Sequence, residues 1–272
     1  MLTPVTQFKG KRIVLTRTTE QSAFLLRKLK STGAEVFVLP CVEFCEADDS
    51  APLDDVVRRI NEFNWLVFTS QNAVKFFSRR FRELRCDPVN LSEPRPKVAA
   101  IGAATRDAAI RAGWDVERMI AEVRSGAEFA GKVARKAKGE KILLPQSDLA
   151  NPQIAERLRE AGAIVTSVVT YRTCVPKSLE SAQVDRIRRE GADVIVFASP
   201  SAFRNFAQIV GREAFERFGE QSAFAAIGPT TARAIRDAGV PVAMEAAKPN
   251  PYELIKVMTQ YFSKPNRREV SR

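Results

Sequence analysis

Histidine is missing from all 272 residues, and with it go the commonest general base and the commonest transition-metal ligand. Ser-His-Asp and Cys-His catalysis are therefore excluded. Cysteine is scarce. Cys41, Cys45, Cys86 and Cys174 form no C-x-x-C pair, which reads as reduced thiols, not as a disulfide framework or a structural zinc site. No apolar run approaches the ~18 residues of a membrane span. The opening MLTPVTQFKGKRIVL lacks the longer apolar core and small-residue cleavage site of a secretory signal, so a cytoplasmic protein without membrane attachment is expected. G-x-G-x-x-G, G-x-x-x-x-G-K-[ST] and G-x-S-x-G are absent as well, which weakens dinucleotide, P-loop and hydrolase readings.

What is present points to a globular chain. Hydrophobic residues make up 45% and charged residues 28%, enough apolar material for real cores, and the length suggests two domains of roughly 100 to 150 residues each. Lysine plus arginine exceed aspartate plus glutamate by 11. That excess implies an acidic partner, and charge by itself does not separate nucleic acid from a polyanionic small molecule. The basic residues are scattered: Arg79, Arg80, Arg82 and Arg85, the stretch Lys132 to Lys141, and Arg186 to Arg189 read as solvated faces of outer helices. The three tyrosines and two tryptophans do not interleave with them as a base-stacking surface requires.

Short apolar runs alternate with helical stretches. IVL at Ile13, VFVL at Val36, WLVF at Trp65, VAAI at Val98, ILL at Ile142, IV at Ile164, VIVF at Val194 and AAI at Ala225 predict an α/β fold with parallel strands buried on both faces. The chain also repeats itself. GKRIVL from Gly10 aligns with GEKILL from Gly139, 129 positions on, and the same offset carries Leu25 onto Ile154, Leu29 onto Leu158, Gly33 onto Gly162, and Val67 with its F-T-S onto Val196 with its F-A-S. AAIG-x-x-T from Ala99 recurs from Ala225 at an offset of 126. Two copies of one α/β unit are expected. Ile154, Leu158 and Ala161 read as a buried helical stripe, and Gly33 and Gly162 as left-handed helix ends.

The loops after the strands carry the functional hint. Thr69, Ser70 and Asn72 follow WLVF, Ser199 and Ser201 follow VIVF, and Thr105, Thr230 and Thr231 follow the two AIG turns. Singly, each reads as an ordinary helix N-cap. Together they predict helix N-termini with free N–H groups at the carboxyl ends of parallel strands, where α/β folds bind anions. Among possible proton donors Tyr171 stands out at the end of the strand VVTYRT, since a phenol stays protonated at neutral pH. A strand-end tyrosine with a wet hydroxyl is the plainer interpretation.

The ordered set GKRIVLTR, WLVFTSQNAV, VAAIGAAT, KILLP, VVTYRT, VIVFASPSAFRNF and FAAIGPTTARAI resembles the uroporphyrinogen-III synthase family over roughly residues 10 to 260. Each piece is short. The specificity lies in the order, with YRT and FAAIGPTTA the most distinctive. The resemblance implies two similar α/β domains, each a parallel sheet flanked by helices, facing one another across a cleft and joined by a two-strand linker. It implies interleaving, with 1–39 and 175–272 forming one domain, 46–168 the other, and 40–45 and 169–174 the linker strands. The repeat alone fits a cut into contiguous halves near residue 130 equally well. The tail from about Ser263 is polar and basic and is expected to be disordered and dispensable.

Chemically, the resemblance implies cyclisation of hydroxymethylbilane with inversion of its last pyrrole ring and loss of water, with no cofactor and no metal. Water leaves the hydroxymethyl end to give an azafulvene, the substituted carbon of the last ring attacks to form a spirocycle, and fragmentation and reclosure yield the type III isomer. The substrate is a polyanion, which agrees with the basic balance. The resemblance gives Tyr171 the role of assisting departure of the hydroxyl, and gives Ser70, Asn72, Thr105, Ser199, Ser201, Thr230 and Thr231 the role of lining the cleft. Thr18, Ala103, Ala198 and Gln146 depart from the family's usual residues. Gln146 matters most, because it stands where an arginine is common, and Arg17 or Lys141 is the cation offered in its place. A monomer is implied, with possible transient contact with the enzyme that makes hydroxymethylbilane. A non-catalytic binder of a tetrapyrrole or other anionic metabolite remains the alternative, and a basic nucleic-acid-binding protein a weaker third.

Overall fold

Residues 7–89, 91–116 and 138–263 are described by a computed structural model of the chain. Lys132, Lys136 and the tail 264–272 lie outside the described residues. The chain divides into two compact units, one of residues 1–43 and 174–272, the other of residues 44–173. The division is therefore interleaved, and a cut near residue 130 does not describe it.

The first unit holds the strands β1 (Arg12–Leu15), β2 (Glu35–Val38), β8 (Val194–Phe197), β9 (Ala223–Ala226) and β10 (Met244–Glu245) in the order β10-β9-β8-β1-β2. Every pair is parallel. Successive residues of these strands enter opposite cores, as the period of two demands. Val14, Ile195, Phe197 and Phe224 pack on one face, and Ile13, Leu15, Val194, Val196 and Ala225 on the other with Leu25, Leu29, Leu254 and Met258 of flanking helices. Burial on both faces explains why the strands read as unbroken apolar runs.

The second unit holds β3 (Glu43–Glu46), β4 (Trp65–Phe68), β5 (Lys97–Ala100), β6 (Lys141–Ser147) and β7 (Ile164–Cys174) in the order β3-β7-β6-β4-β5. Its β4–β5, β4–β6 and β6–β7 pairs are parallel. Leu66, Phe68 and Leu143 face one core, with Phe77, Phe81 and Trp114, and Val67, Ile142 and Leu144 face the other, with Leu158. In each unit the strand opening with G-x-x-[IV] is flanked by the strand that follows it and by the one ending in V-F-x-S. One expectation changes. β7 runs for 11 residues and is not uniformly buried: Ile164 is 57% exposed. The short strands β3 and β10 carry no apolar run; of the two, only β3 overlaps a strand the resemblance implied, at 40–45.

Local chemistry explains the element ends. Thr18, Ser70 and Ser199 cap the helices α1 (Thr19–Ser31), α3 (Gln71–Glu83) and α7 (Pro200–Val210), each accepting a backbone N–H of the first turn. Gly33 and Gly162 have φ of 87° and 86°, and a Cβ at Gly33 would lie 3.2 Å from Cα of Lys9, so the tight return from helix to strand demands glycine there. Asn205 of α7 donates to the carbonyls of Cys41 at 2.7 Å and Cys174 at 3.1 Å, beside the points where the chain leaves and re-enters the first unit. No described helix is long and apolar enough to cross a membrane.

Candidate active site

In the second unit the loop after β4 turns into α3 at Ser70. The Ser70 Oγ accepts the Ala73 N–H at 3.0 Å and lies 3.2 Å from the hydroxyl of Tyr171. Tyr171 sits inside β7, not at its end, and is only 7% exposed. The expectation of a wet, strand-end phenol is thus corrected. Its ring stacks on Phe76 at 5.4 Å and meets the edge of Phe44 at 5.6 Å. These rings fill the space around it and fix its plane.

The backbone beneath Tyr171 is pinned from both sides. On the β6 side the register shifts between Gln146 and Ser147, where Ser147 pairs with Tyr171. The Asp148 N–H donates to the Tyr171 carbonyl at 3.2 Å, and its carboxylate accepts the Thr173 N–H at 3.2 Å and the Ser147 hydroxyl at 2.8 Å. Towards β3, Arg172 forms an ion pair with Asp48 at 2.6 Å and donates to the Glu46 carbonyl at 3.3 Å. Arg79, paired with Glu46, lies over the Phe76 ring at 4.9 Å. Sequence reasoning missed Phe44, Phe76, Asp148 and Arg172, since none stands in a strand-end hydroxyl motif.

The other hydroxyl residues divide into two kinds. Ser199 is a true N-cap, its Oγ accepting the Ala202 N–H at 3.1 Å. Ser201 and Asn72 are half-buried in the first turns of α7 and α3, with Ser201 accepting weakly from Arg204 at 3.4 Å. Thr105, Thr230 and Thr231 are not N-caps. The helices α4 (Ala103–Arg111) and α9 (Pro229–Asp237) start at the caps Gly102 and Gly228, which places these threonines inside the first turn. The apolar A-I-G turn reaches the helix with no side-chain cap, so the glycine ends the loop earlier than a capping threonine would. Thr105 is 6% and Thr231 4% exposed, whereas Thr230 is exposed.

In the first unit β1, β8 and β9 are adjacent and parallel, so α1, α7 and α9 present their first turns at one end of the sheet. The N–H groups of those turns have no intrahelical acceptor, and the positive end of each helix favours anions. Arg17 lies in the bend between β1 and α1. Its side chain is exposed in area, yet the surrounding protein holds its guanidinium below the usual value by desolvation, and it makes no ion pair among the described residues. An offset of 129 carries Arg17 onto Gln146, so only the first unit keeps a cation at this place. Burial pushes the Cys41 thiol up, away from the thiolate form that reacts. Among the described residues no group of three or more cysteine, aspartate or glutamate side chains is arranged to hold a metal.

The sequence model of the family described as Uroporphyrinogen-III synthase HemD matches residues 23–256. Uroporphyrinogen-III synthase of Synechococcus elongatus is 27% identical over 229 residues, covering 82% of this chain and 84% of its own. Among solved structures, a mutant uroporphyrinogen III synthase of Thermus thermophilus has a TM-score of 0.58 at 15% identity, covering 94% of this chain and 100% of its own. Uroporphyrinogen-III synthetase of Helicobacter pylori also has a TM-score of 0.58, at 18% identity over 92% and 99% of the two chains. These two structures share the fold: parallel sheets flanked by helices.

Proposed function

The chain belongs to the uroporphyrinogen-III synthase family, and from that premise we infer that it cyclises hydroxymethylbilane to uroporphyrinogen III in haem biosynthesis, as a lyase without a cofactor. The family match carries this conclusion. It does not favour the alternative of a non-catalytic binder. We read the two units as products of an internal duplication, with 40–45 and 169–174 as the linker strands. The same reading takes the protein as a cytoplasmic monomer acting on a small molecule and not on nucleic acid.

Tyr171 is the proton donor in this reading. The C–O bond of the hydroxymethyl group breaks, its electron pair stays on oxygen, and the phenol proton leaves with it as water. The azafulvene so formed is reactive, so the remaining task is to hold the chain folded for attack at the substituted carbon of the last ring. That is a matter of positioning. Arg17, Asn72, Thr105, Ser199, Ser201, Thr230 and Thr231, with the first-turn amides that follow Ser70, hold the substrate carboxylates. Each charge-assisted contact is worth about 1.5 to 3 kcal/mol, so several share the binding and no one of them is indispensable. The tightly held Tyr171, with Ser70 at its hydroxyl, is the feature of the fold that supports this assignment best.

The reading predicts that the full chain, dialysed against a chelator, consumes hydroxymethylbilane faster than the unaided cyclisation. A rate equal to the protein-free control contradicts it. A second prediction concerns the missing cation. Gln146→Arg restores the arginine that the first unit keeps at Arg17 and lowers KM roughly threefold to tenfold, with kcat within about twofold. Initial rates against substrate concentration check this, and an unchanged or raised KM removes Gln146 from the carboxylate-binding side.

A further inference from the structure

We propose that Ser70 is a positioning residue for Tyr171: its hydroxyl donates to the phenol oxygen, turning the phenolic proton towards the substrate and stabilising the phenolate left behind. The assignment rests on the synthase reading and goes beyond it, because the resemblance makes Ser70 a residue that lines the substrate site.

Two contacts carry it. A serine hydroxyl has one proton and two acceptor positions, and the Ala73 N–H at 3.0 Å already occupies one acceptor position. An oxygen that accepts an N–H is a better donor through its own proton, since chained hydrogen bonds polarise one another. The natural use of that proton is the Tyr171 oxygen at 3.2 Å. The three donors then run in one direction, from Ala73 N–H to Ser70 O–H to Tyr171 O–H to the leaving oxygen. The Ser70–Tyr171 contact is longer than the usual ~2.7 to 2.8 Å of an O–H···O bond, and contacts of this kind tighten when charge develops during the reaction. The negative charge gathers on the phenol oxygen, beside the N-terminus of α3, whose dipole favours it. The phenolate regains the proton that the last ring sheds from its unsubstituted α-carbon as the macrocycle closes, so the overall reaction releases only water.

The internal repeat shows that this is not simply what a capping serine does. Ser199 stands 129 positions after Ser70 and caps α7 in the same way. The residue 129 positions before Tyr171 is Val42, so the first unit keeps the cap and has no phenol at the matching place. The rings of Phe76 and Phe44 restrict the Tyr171 ring, which keeps the phenol oxygen beside Ser70.

The test is a double-mutant cycle on the full chain, with kcat, KM and the type III fraction measured for the unsubstituted protein, Ser70→Ala, Ser70→Thr, Tyr171→Phe and Ser70→Ala with Tyr171→Phe. The expected result is about a tenfold fall in kcat for Ser70→Ala with KM within about twofold. Ser70→Thr keeps the hydroxyl and recovers kcat to within about threefold. In the Tyr171→Phe background Ser70→Ala has no further effect, because there is no phenol left to position. Loss of the cap alone moves thermal stability, and Ser199→Ala reports its size independently. A tenfold loss that persists in the Tyr171→Phe background, or a raised KM with normal kcat, overturns the assignment while leaving the synthase reading intact. Absence of type III product from the unsubstituted protein overturns both.

Discussion

Tyr171→Phe lowers kcat by roughly a hundredfold and leaves KM within about twofold. The substitution removes one oxygen and keeps the ring, so the stacking on Phe76 and the edge contact with Phe44 survive. On the proposed function, what is lost is the proton given to the departing hydroxyl. Without it, hydroxide leaves unaided and the barrier to the azafulvene rises. On the proposed function the carboxylate contacts lie on other elements, so the loss is expected in kcat and not in KM. Thr231→Ala, which on the proposed function removes one of several shared contacts, is expected to cost less than about threefold in kcat/KM. Steady-state kinetics of the two variants side by side check the contrast. Equal, mild effects in both remove the special role of Tyr171.

Phe197→Ala lowers the melting temperature by on the order of 10 °C. Phe197 is completely buried at the end of β8, and its ring centroid lies 5.3, 5.4 and 5.2 Å from those of Phe203, Phe206 and Phe224. Truncation leaves a cavity among rings that are themselves locked by neighbours, so little collapse is available to fill it. A buried Phe→Ala change of this kind costs about 3 to 5 kcal/mol. Differential scanning calorimetry reads the shift, and a fall of less than about 3 °C means that the cluster repacks. No reacting group is removed, so below the lowered transition the variant still makes type III product.

The fold was largely legible for a physical reason. Strands covered on both faces must be apolar throughout, so IVL, WLVF, VIVF and AAI announce themselves without the ambiguity of half-buried strands. EFCE and ME carry no such run, so β10 escaped and a strand near β3 was expected only through the resemblance. The division of the chain was not legible from the repeat, since an offset of 129 is the same whether the copies are contiguous or interleaved.

The site was legible in part. Ser70 and Ser199 follow their strands at the spacing an N-cap requires and do cap. Thr105 and Thr231 were misread as caps because Gly102 and Gly228 begin their helices earlier, and a glycine cap leaves no side-chain mark. The burial of Tyr171 could not be read from its own strand. It depends on Phe44 and Phe76, distant in sequence, and on Ser70, 101 positions away, which only tertiary packing brings together. That Gln146 stands in the place of an arginine is implied by the family resemblance alone, and its alignment with Arg17 follows from the repeat offset.

The isomer composition of the product decides whether this chain inverts the last ring. The purified chain is given freshly generated hydroxymethylbilane, the product is oxidised, and uroporphyrins I and III are separated by chromatography beside a protein-free control. A product that is mostly type III, where the control gives type I, is the predicted result, because only a chain that directs attack to the substituted carbon inverts the last ring. Type I alone, at the rate of the control, contradicts the account.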